Sequence, residues 1–294
     1  DFIDIDNINI IPSKGNLSRN INPSNIPYVF GNEYQTNKFY PNDIVDLGNP
    51  YILRDLRGQG VVINPFHYNA VTKTLRVYTR IILEIKEDNS LNRNLKNGLS
   101  RSKNVIEQSN EFKSIYENLF INYYMDTRFN YIDDLGSMLI ICYDDFLDEM
   151  SPFINWKNRK GIPTEIIALS SIGSTSDQIK SYVSDYYYQN GLTYLLLVGD
   201  AAQMPTPIVG GSASDPSYGF IEGNDAFSEI IVGRFSANNP SELITQVERS
   251  LQYEQDPSAH VDHLIKLLEL LLIKDQVMVA FLTMILMIYY GEIS

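Results

Sequence analysis

Cysteine, histidine and tryptophan are scarce in this sequence, and their scarcity limits the chemistry that it can support. Among 294 residues there are one cysteine, one tryptophan and three histidines. A single cysteine cannot form an intramolecular disulfide, so a disulfide-stapled scaffold is excluded. This cysteine, Cys142, lies inside a purely apolar run with no basic neighbour. We therefore expect a small buried core residue at this position rather than a nucleophile.

Basic residues are in deficit as well. The chain has 23 Lys and Arg residues against 36 Asp and Glu residues, which gives a formal net charge of −13. Contacts with phosphate groups need clustered Lys and Arg, so we expect no nucleic-acid partner. An acidic surface instead suits solubility and the binding of divalent cations.

Long apolar segments are also missing. The most apolar stretch, 277–290, is interrupted only by Thr283, but its fourteen residues are too few to span a bilayer comfortably. The chain opens at Asp1 without a basic region followed by an apolar one. No signal peptide is visible in this pattern, and we expect the true amino terminus to lie upstream.

The first 125 residues predict a β-rich module. Turn-forming residues separate its short apolar runs, and the best strand pattern covers 74–85, where apolar and polar residues alternate. Such alternation is typical of an antiparallel strand with one buried face. A polar linker follows at 86–104. A short helix that closes the module is predicted by the helical spacing of four apolar residues, namely Phe112, Ile115, Tyr116 and Leu119.

From about residue 131 the pattern changes to alternating strands and helices. Continuous apolar runs at 137–143, 163–169 and 193–200 predict buried strands. Capping residues at 174–177 and 239–242 predict the starts of two helices. Strands that alternate with helices imply an α/β fold, in which a parallel sheet is flanked by helices.

Three acidic residues lie close to the predicted strands. Asp200 follows the run Tyr-Leu-Leu-Leu-Val-Gly, and Asp225 and Glu229 belong to an alternating segment. If that segment is extended, Asp225, Phe227 and Glu229 share one face, because strand side chains repeat every two residues. We expect the three carboxylates to converge beyond the strand ends, either as a site for a hard cation or as a solvated acidic rim.

Several motifs follow one another in a recognisable order. The segment 54–60 reads Arg-Asp-Leu-Arg-Gly-Gln-Gly, and a second marker covers 68–78. Further downstream are Trp-Lys-Asn-Arg-Lys-Gly-Ile-Pro-Thr-Glu at 156–165, the strand at 193–200, Gly-Asn-Asp at 223–225, Val-Gly-Arg-Phe-Ser at 232–236 and the helix through 246–253. From about 135 to 257 the chain resembles the gingipain-type cysteine peptidases, and the upstream module resembles the propeptide of that family.

The resemblance implies a caspase-like fold and a secreted or cell-surface endopeptidase that is made as a zymogen. Its partners would be polypeptide substrates and its own propeptide. The chemistry would need a cysteine nucleophile paired with a histidine. No such pair is recognisable here: His67 lies in the propeptide-like module, and His260 and His263 lack the family's flanking glycines. We therefore expect this chain by itself to be inactive.

The resemblance also implies a structural calcium ion. Its carboxylate ligands would be Asp200, Asp225 and Glu229, and backbone carbonyls would come from Glu222 and Phe227. Such an oxygen-rich shell is what Ca²⁺ prefers. The alternative is an acidic loop that is solvated and binds no metal.

Two arginines are candidates for roles in zymogen processing. Arg128 lies where the family separates propeptide from mature enzyme, so the resemblance implies a cleavage site after it. Arg57, beside Gly58 and Gly60, is a candidate occupant of the substrate pocket in the zymogen.

These patterns divide the chain into four parts. A β-rich propeptide-like module covers 1–125, a linker with the processing region 126–136, and the first subdomain of a catalytic domain 137–258. The tail, 259–294, differs in style and is either a buried or amphipathic helix or a frameshift product. In favour of a frameshift, codons can be chosen from Leu267 onward whose shifted frame spells a strand, a Gly/Pro loop and an acidic segment. The encoding DNA around His263 tests this idea.

Two other functions fit parts of the pattern. A non-catalytic extracellular binding or secretion-associated protein would use the same scaffold without the catalytic pair. A nucleotide-binding doubly wound domain would share the strand–helix order, but it needs a Gly-x-Gly-x-x-Gly turn after the first strand, where Tyr143-Asp144-Asp145 stands instead.

Overall fold

The computed structural model describes residues 1–84, 105–123, 130–256 and 284–290. The chain forms two compact units that interleave in sequence. The first unit comprises Asp1–Asn49, Gln59–Asn92 and Met278–Met287, and the second comprises Pro50–Gly58, Arg93–Val277 and Ile288–Ser294. A short segment of the propeptide-like module, Pro50–Gly58, therefore belongs to the second unit.

The upstream module is built from antiparallel strands, as the sequence predicts. Strands β1 (Phe2–Ile5), β5 (Thr74–Tyr78) and β4 (Phe66–Asn69) form one sheet in that order. A longer hairpin consists of β2 (Val45–Leu53) and β3 (Leu56–Ile63). Together with β14 (Met284–Tyr290) it forms a sheet of order β14-β3-β2.

The strand predicted for 74–85 is shorter in the structure. It ends at Tyr78, which pairs with Phe2. Beyond this pair the carbonyl of Asp1 accepts two backbone N–H groups, from Thr79 at 3.0 Å and from Arg80 at 3.3 Å. The regular one-to-one ladder ends at this shared acceptor.

The second unit contains the parallel sheet that strand–helix alternation predicts. Its strands are β8 (Met138–Cys142), β9 (Thr164–Ala168), β10 (Tyr194–Val198) and β13 (Ile231–Phe235). They lie in the order β13-β10-β8-β9, and all neighbours are parallel. The helices are α2 (Ser151–Arg159), α3 (Ser176–Asn190) and α4 (Pro240–Gln255).

Helices cover both faces of this sheet. One set of alternate strand residues, including Ile140 and Cys142, packs with Phe153 of α2 and Leu243 of α4. The opposite set packs against α3. Because both faces are covered, these strands read as continuous apolar runs, and the α/β fold class is confirmed.

Helix starts follow the capping pattern of the sequence. Thr175 and Gln178 form a reciprocal capping box at the start of α3, and Gly191 ends this helix at a φ of 71°. Asn239 accepts the backbone N–H of Glu242, with Pro240 as the first helical residue of α4. The helix predicted upstream is also present, as α1 (Asn110–Leu119).

Two further strand pairings are present among the described residues. Strand β6 (Val105–Ser109) pairs in parallel with β7 (Asn130–Asp134). Strands β11 (Ile208–Val209) and β12 (Ser212–Ala213) form a small hairpin. In the part of the chain that the structure describes, no helix combines the length and apolar character needed to cross a membrane.

Candidate functional site

Asp200 lies at the carboxyl end of the parallel sheet, just beyond β10. Its backbone N–H donates to the carbonyl of Ala237, beyond the end of the neighbouring strand β13. The Ser236 hydroxyl donates to its carboxylate at 2.5 Å, and this bond holds the pKa of Asp200 below its usual range. Asp200 thus joins the two loops that leave β10 and β13.

An arginine–carboxylate pair organises the same end of the sheet. Arg234 of β13 donates to both oxygens of Asp215, each at 2.7 Å. It also donates to the carbonyls of Gly199 and Met204, at 2.9 and 3.0 Å. Burial opposes ionisation of Asp215, but the bonds from Arg234 hold its pKa below the usual range. The sequence motif contains Arg234, yet only the fold shows that it secures this loop.

The segment with Asp225 and Glu229 is not the extended strand that its alternation predicts. Residues 222–226 are bends, and β13 begins only at Ile231. The reason is local: the carboxylate of Asp225 accepts the backbone N–H of Phe227 at 3.0 Å. Asp side chains often form such turns, which compete with the strand ladder.

Alternate residues of this segment nevertheless contact one partner, the segment Pro50–Gly58. The Ile52 N–H donates to Asp225 at 2.8 Å, and the Arg54 N–H donates to Glu229 at 3.4 Å. Between them the rings of Tyr51 and Phe227 stack, with centroids 3.7 Å apart. Asp225, Phe227 and Glu229 therefore contact the same segment, although they do not form one face of a strand.

Glu229 is a fully buried acidic residue. One of its oxygens accepts the N–H groups of Ile221 and Glu222 at 2.6 and 3.0 Å. Burial raises its pKa to about 7, the charge of Asp225 adds to that rise, and the backbone N–H groups oppose it. Glu229 is therefore held in a buried place by the N–H groups of its own loop, with the charge of Asp225 nearby.

Asp200 does not join this pair. The backbone N–H of Ile231 donates to the carbonyl of Thr193 at the amino end of the sheet, where the strands begin. Asp200 lies at the opposite, carboxyl end. At about 3.3 Å per residue, the run from Thr193 to Asp200 separates the two places by roughly 20 Å. Throughout the described residues, no three acidic, histidine or cysteine side chains gather as a metal cluster. The expectation that the three carboxylates converge is wrong. Asp225 and Glu229 precede β13, whereas Asp200 follows the neighbouring parallel strand β10, so they lie at opposite ends of the sheet.

The side chain of Arg54 makes contacts that the sequence analysis did not predict. Its guanidinium donates to the carbonyls of Leu192 and Glu229, both at 2.7 Å. It also lies over the ring of Phe112, 4.7 Å from the centroid. The backbone φ of Arg54 is 49°, an uncommon value for a residue other than glycine. The motif at 54–60 marks this segment in the sequence. It does not predict the contacts of Arg54, because the partner residues lie far away along the chain.

The remaining candidates have different surroundings. Arg57 is half-buried near the start of β3, within Pro50–Gly58. Arg128, His260 and His263 lie outside the described residues. His67 is buried in β4, and burial lowers its pKa. Cys142 is buried as expected, and burial raises the pKa of its thiol to about 12, with Glu149 and Asp144 adding to the rise.

The parallel sheet with helices on both faces makes the second unit an α/β domain. Comparison with known families narrows this class. The family model Propeptide_C25 matches residues 1–122, and Peptidase family C25 matches residues 132–275. The second match extends past residue 258, where we expected the catalytic subdomain to end. The chain belongs to this peptidase family, with its propeptide in front, and the predicted resemblance to the gingipains is confirmed.

Named relatives agree with the family match. Gingipain R2 of Porphyromonas gingivalis is 40% identical over 87% of this chain and 35% of its own length. Gingipain R1 of the same organism is 38% identical over 87% of this chain and 26% of its own length. A complex of the pro- and mature domains of RgpB from that organism aligns at 38% identity over 40% of this chain and 29% of the other, with a TM-score of 0.39. The chain spans about a third or less of the curated relatives it matches.

Proposed function

We propose that this chain is the amino-terminal part of a gingipain-like cysteine endopeptidase precursor, secreted or displayed at the cell surface. The observation that carries the proposal is the order of its parts: a propeptide module precedes a peptidase module, and Pro50–Gly58 of the former is built into the parallel-sheet unit. The full-length protein would hydrolyse polypeptides, and its propeptide would be its first partner.

By itself, the chain is proposed to be inactive. Its only cysteine is buried with a pKa of about 12, whereas a nucleophilic cysteine needs a lowered pKa and an accessible sulfur. The test is hydrolysis of fluorogenic peptides and labelling by a thiol-directed active-site probe. We expect neither, with Cys142→Ala behaving like the parent chain. Hydrolysis that Cys142→Ala abolishes would overturn the assignment.

We also propose a structural calcium ion at the amino end of the sheet. The carboxylates of Asp225 and Glu229 and the carbonyls of Glu222 and Phe227 would hold it. Support comes from the two adjacent carboxylates and the raised pKa of Glu229. The ion would neutralise this pair and link the two ends of the segment 222–229. Asp200 is left out because it lies at the other end of the strands.

Calorimetric titration with calcium tests this site. We expect binding to the parent chain and its loss in the Asp225→Ala/Glu229→Ala double variant. Asp200→Ala is the matched control, since it also removes a carboxylate, and it should bind like the parent. Unchanged binding by the double variant would refute the assignment.

Processing remains a further part of the proposal. Cleavage after Arg128 would give a mature chain that begins at Phe129, and amino-terminal sequencing of secreted material checks this. The proposal that Arg57 fills a substrate pocket has less support. In α/β sheets ligands bind beyond the carboxyl ends of the strands, whereas the contacts of Pro50–Gly58 with Leu192, Asp225 and Glu229 lie at the amino end.

A further inference from the structure

We infer that the amino end of the parallel sheet is a binding site for a guanidinium group, and that Arg54 occupies it to hold the hairpin tip, Pro50–Gly58, on the sheet. The ligand class is therefore an arginine side chain carried by a hairpin. The inference goes beyond the proposed function, because hydrolysis of polypeptides does not itself require this site. It rests on contacts within the second unit of the chain.

Two backbone carbonyls meet at this site because of the strand register. Strands β10 and β13 begin their pairing at Tyr194 and Ile231. Leu192 and Glu229 each lie two residues ahead of that pair, so they would face one another if the same register continued. The first bond between the two chains runs from the N–H of Ile231 to the carbonyl of Thr193. The carbonyls of Leu192 and Glu229 thus lie beyond the end of the ladder.

The guanidinium of Arg54 supplies donors to these carbonyls. One terminal nitrogen, Nη1, donates to both of them at 2.7 Å, and the other, Nη2, donates to the Thr193 hydroxyl at 3.4 Å. The guanidinium lies over the rings of Phe112 and Tyr187, with its carbon 4.7 and 5.8 Å from their centroids. A planar cation with donors on several nitrogens suits acceptors at its edge and a ring at its face.

The surroundings carry negative charge that favours a cation. Helix α3 ends at Asn190, two residues ahead of Leu192, and the carboxyl end of a helix attracts positive charge. The Asp55 carboxylate is 3.8 Å from Nε of Arg54, and the Glu229 carboxylate accepts the backbone N–H of Arg54 at 3.4 Å. Because the side chain of Arg54 is only 13% exposed, solvent and salt screen these charges weakly.

The site combines parts of both family modules. Arg54 and Phe112 lie in the stretch that the propeptide model matches, whereas Leu192, Thr193 and Glu229 lie in the stretch that the peptidase model matches. One arginine of the propeptide is thus clamped between a propeptide ring and peptidase carbonyls. This contact is at the end of the sheet opposite the one where ligands of α/β sheets bind.

Hydrogen exchange on the full 294-residue chain tests whether Arg54 holds the tip. The readout is the backbone N–H of Ile52, which donates to Asp225 at 2.8 Å and lies two residues from the substitution. We expect Arg54→Ala to speed exchange at Ile52 by at least about tenfold, because it removes two charge-assisted hydrogen bonds. The N–H groups of Ile221 and Glu222 are internal controls, because their bonds lie within their own loop.

Two variants separate a guanidinium site from a general effect of charge. Arg54→Lys keeps the positive charge, but an ammonium has no planar face, so it cannot both bond the carbonyls and lie flat over Phe112. We expect it to speed exchange at Ile52 by at least about threefold. Arg57→Ala removes a cation from the same hairpin and should leave this exchange rate unchanged. If Arg54→Ala does not fold, the comparison of Arg54→Lys with the parent still decides.

Chemical rescue identifies the ligand. In Arg54→Ala, guanidinium chloride at about 50 mM, well below denaturing concentrations, should enter the site. We expect it to slow exchange at Ile52 by at least about threefold, the effect of a ligand at about twice its dissociation constant. Methylammonium chloride at the same concentration is the control for a lysine-like cation and should have no effect. Arg57→Ala, in which Arg54 fills the site, should respond to neither salt.

Each outcome has a defined meaning. Faster exchange at Ile52 in Arg54→Ala and in Arg54→Lys, reversed in Arg54→Ala by guanidinium alone, supports the inference. A parent-like rate in Arg54→Ala would show that Arg54 does not hold the tip, and a parent-like rate in Arg54→Lys would show that any cation suffices; either result overturns it. Absence of rescue, or equal effects of guanidinium and methylammonium, overturns it as well. The peptidase assignment is untouched by these results, because it rests on the family match.

Discussion

The two ends of the parallel sheet satisfy their polar groups in different ways. At the carboxyl end, Arg234 and Asp215 are 19 residues apart, and the carbonyl of Gly199 is 35 residues from Arg234. At the amino end, the partners of Asp225 and Glu229 in the hairpin tip, Pro50–Gly58, are 173 and 175 residues away in sequence. One end is thus closed by its own loops, and the other depends on a segment that belongs to the propeptide. A change at either end tests this contrast.

The largest effect is expected at the carboxyl end. Arg234→Ala would leave Asp215 partly buried without its ion pair, which should lower the free energy of unfolding by about 4 kcal/mol. Urea denaturation followed by the fluorescence of Trp156, the single tryptophan, reports on this unit. Arg249→Ala, at an exposed position of α4, is the control and should change little. A loss below about 1 kcal/mol would show that Arg234 does not close this end.

A slightly smaller effect is expected at the amino end. Tyr51→Ala removes a buried ring from between Phe227 and Phe120, and such truncations cost about 3 kcal/mol. The same urea experiment applies, together with hydrogen exchange at Ile52. Tyr188→Ala removes a ring that is 52% exposed and should cost far less. Equal losses for the two variants would mean that the tip contributes no specific packing.

The pH dependence of stability tests a second feature of the amino end. Lys157 and Lys160 donate to Glu254 at 2.6 and 2.8 Å, joining the ends of α2 and α4. Burial opposes ionisation, but these bonds and one from Trp156 lower the pKa of Glu254 from 4.5 to about 2. A lowered carboxyl pKa stabilises the fold above pH 4.5, and this contribution is lost as the pH falls from 4.5 towards 2.

The size of that contribution is on the order of 2 kcal/mol after solvent screening. Unfolding followed by circular dichroism at pH 7 and pH 3 measures it. Because other carboxylates also titrate in this range, the test is the difference between the parent and Glu254→Gln. We expect the variant to lose less stability between the two pH values. Parallel profiles would refute the assignment.

The smallest effect is expected for Asp200→Ala. This residue is half-exposed and its main side-chain partner is the Ser236 hydroxyl, so the loss should stay below about 1 kcal/mol. This variant tests whether the two ends of the sheet are independent. Its calcium affinity should match that of the parent chain, because Asp200 lies at the end of the sheet opposite Asp225 and Glu229. Reduced calcium affinity would instead bring the two ends together in one site.

Local signals predicted much of the fold. The capping residues Thr175 and Asn239 mark two helix starts, and apolar runs mark β8, β9 and β10, because caps and periodicity act within one turn or one strand. The buried Cys142 followed from its apolar neighbours. The family was also readable, since its motifs keep their order along the chain.

The site was readable only in part. Alternation of Asp225, Phe227 and Glu229 predicted one face of a strand, but Asp225 makes a turn there, and what the three residues share is contact with Pro50–Gly58. The sequence analysis also groups Asp200 with Asp225 and Glu229, because all three are near predicted strands. Nearness to a strand in sequence does not show at which end of the sheet a residue lies. Arg54 had no signal of its own, because its partners Leu192 and Glu229 are backbone carbonyls.

By itself, then, the sequence determined the α/β pattern, the order of propeptide and peptidase modules, and the acidic residues available for a cation. Only the tertiary structure decided that the carboxylates divide between two ends of a parallel sheet. It also decided that the tip around Arg54 covers one of those ends. The physical reason is that hydrogen bonds within a turn or helix depend on neighbouring residues, whereas a bond between Ile52 and Asp225 exists only after distant segments are packed together.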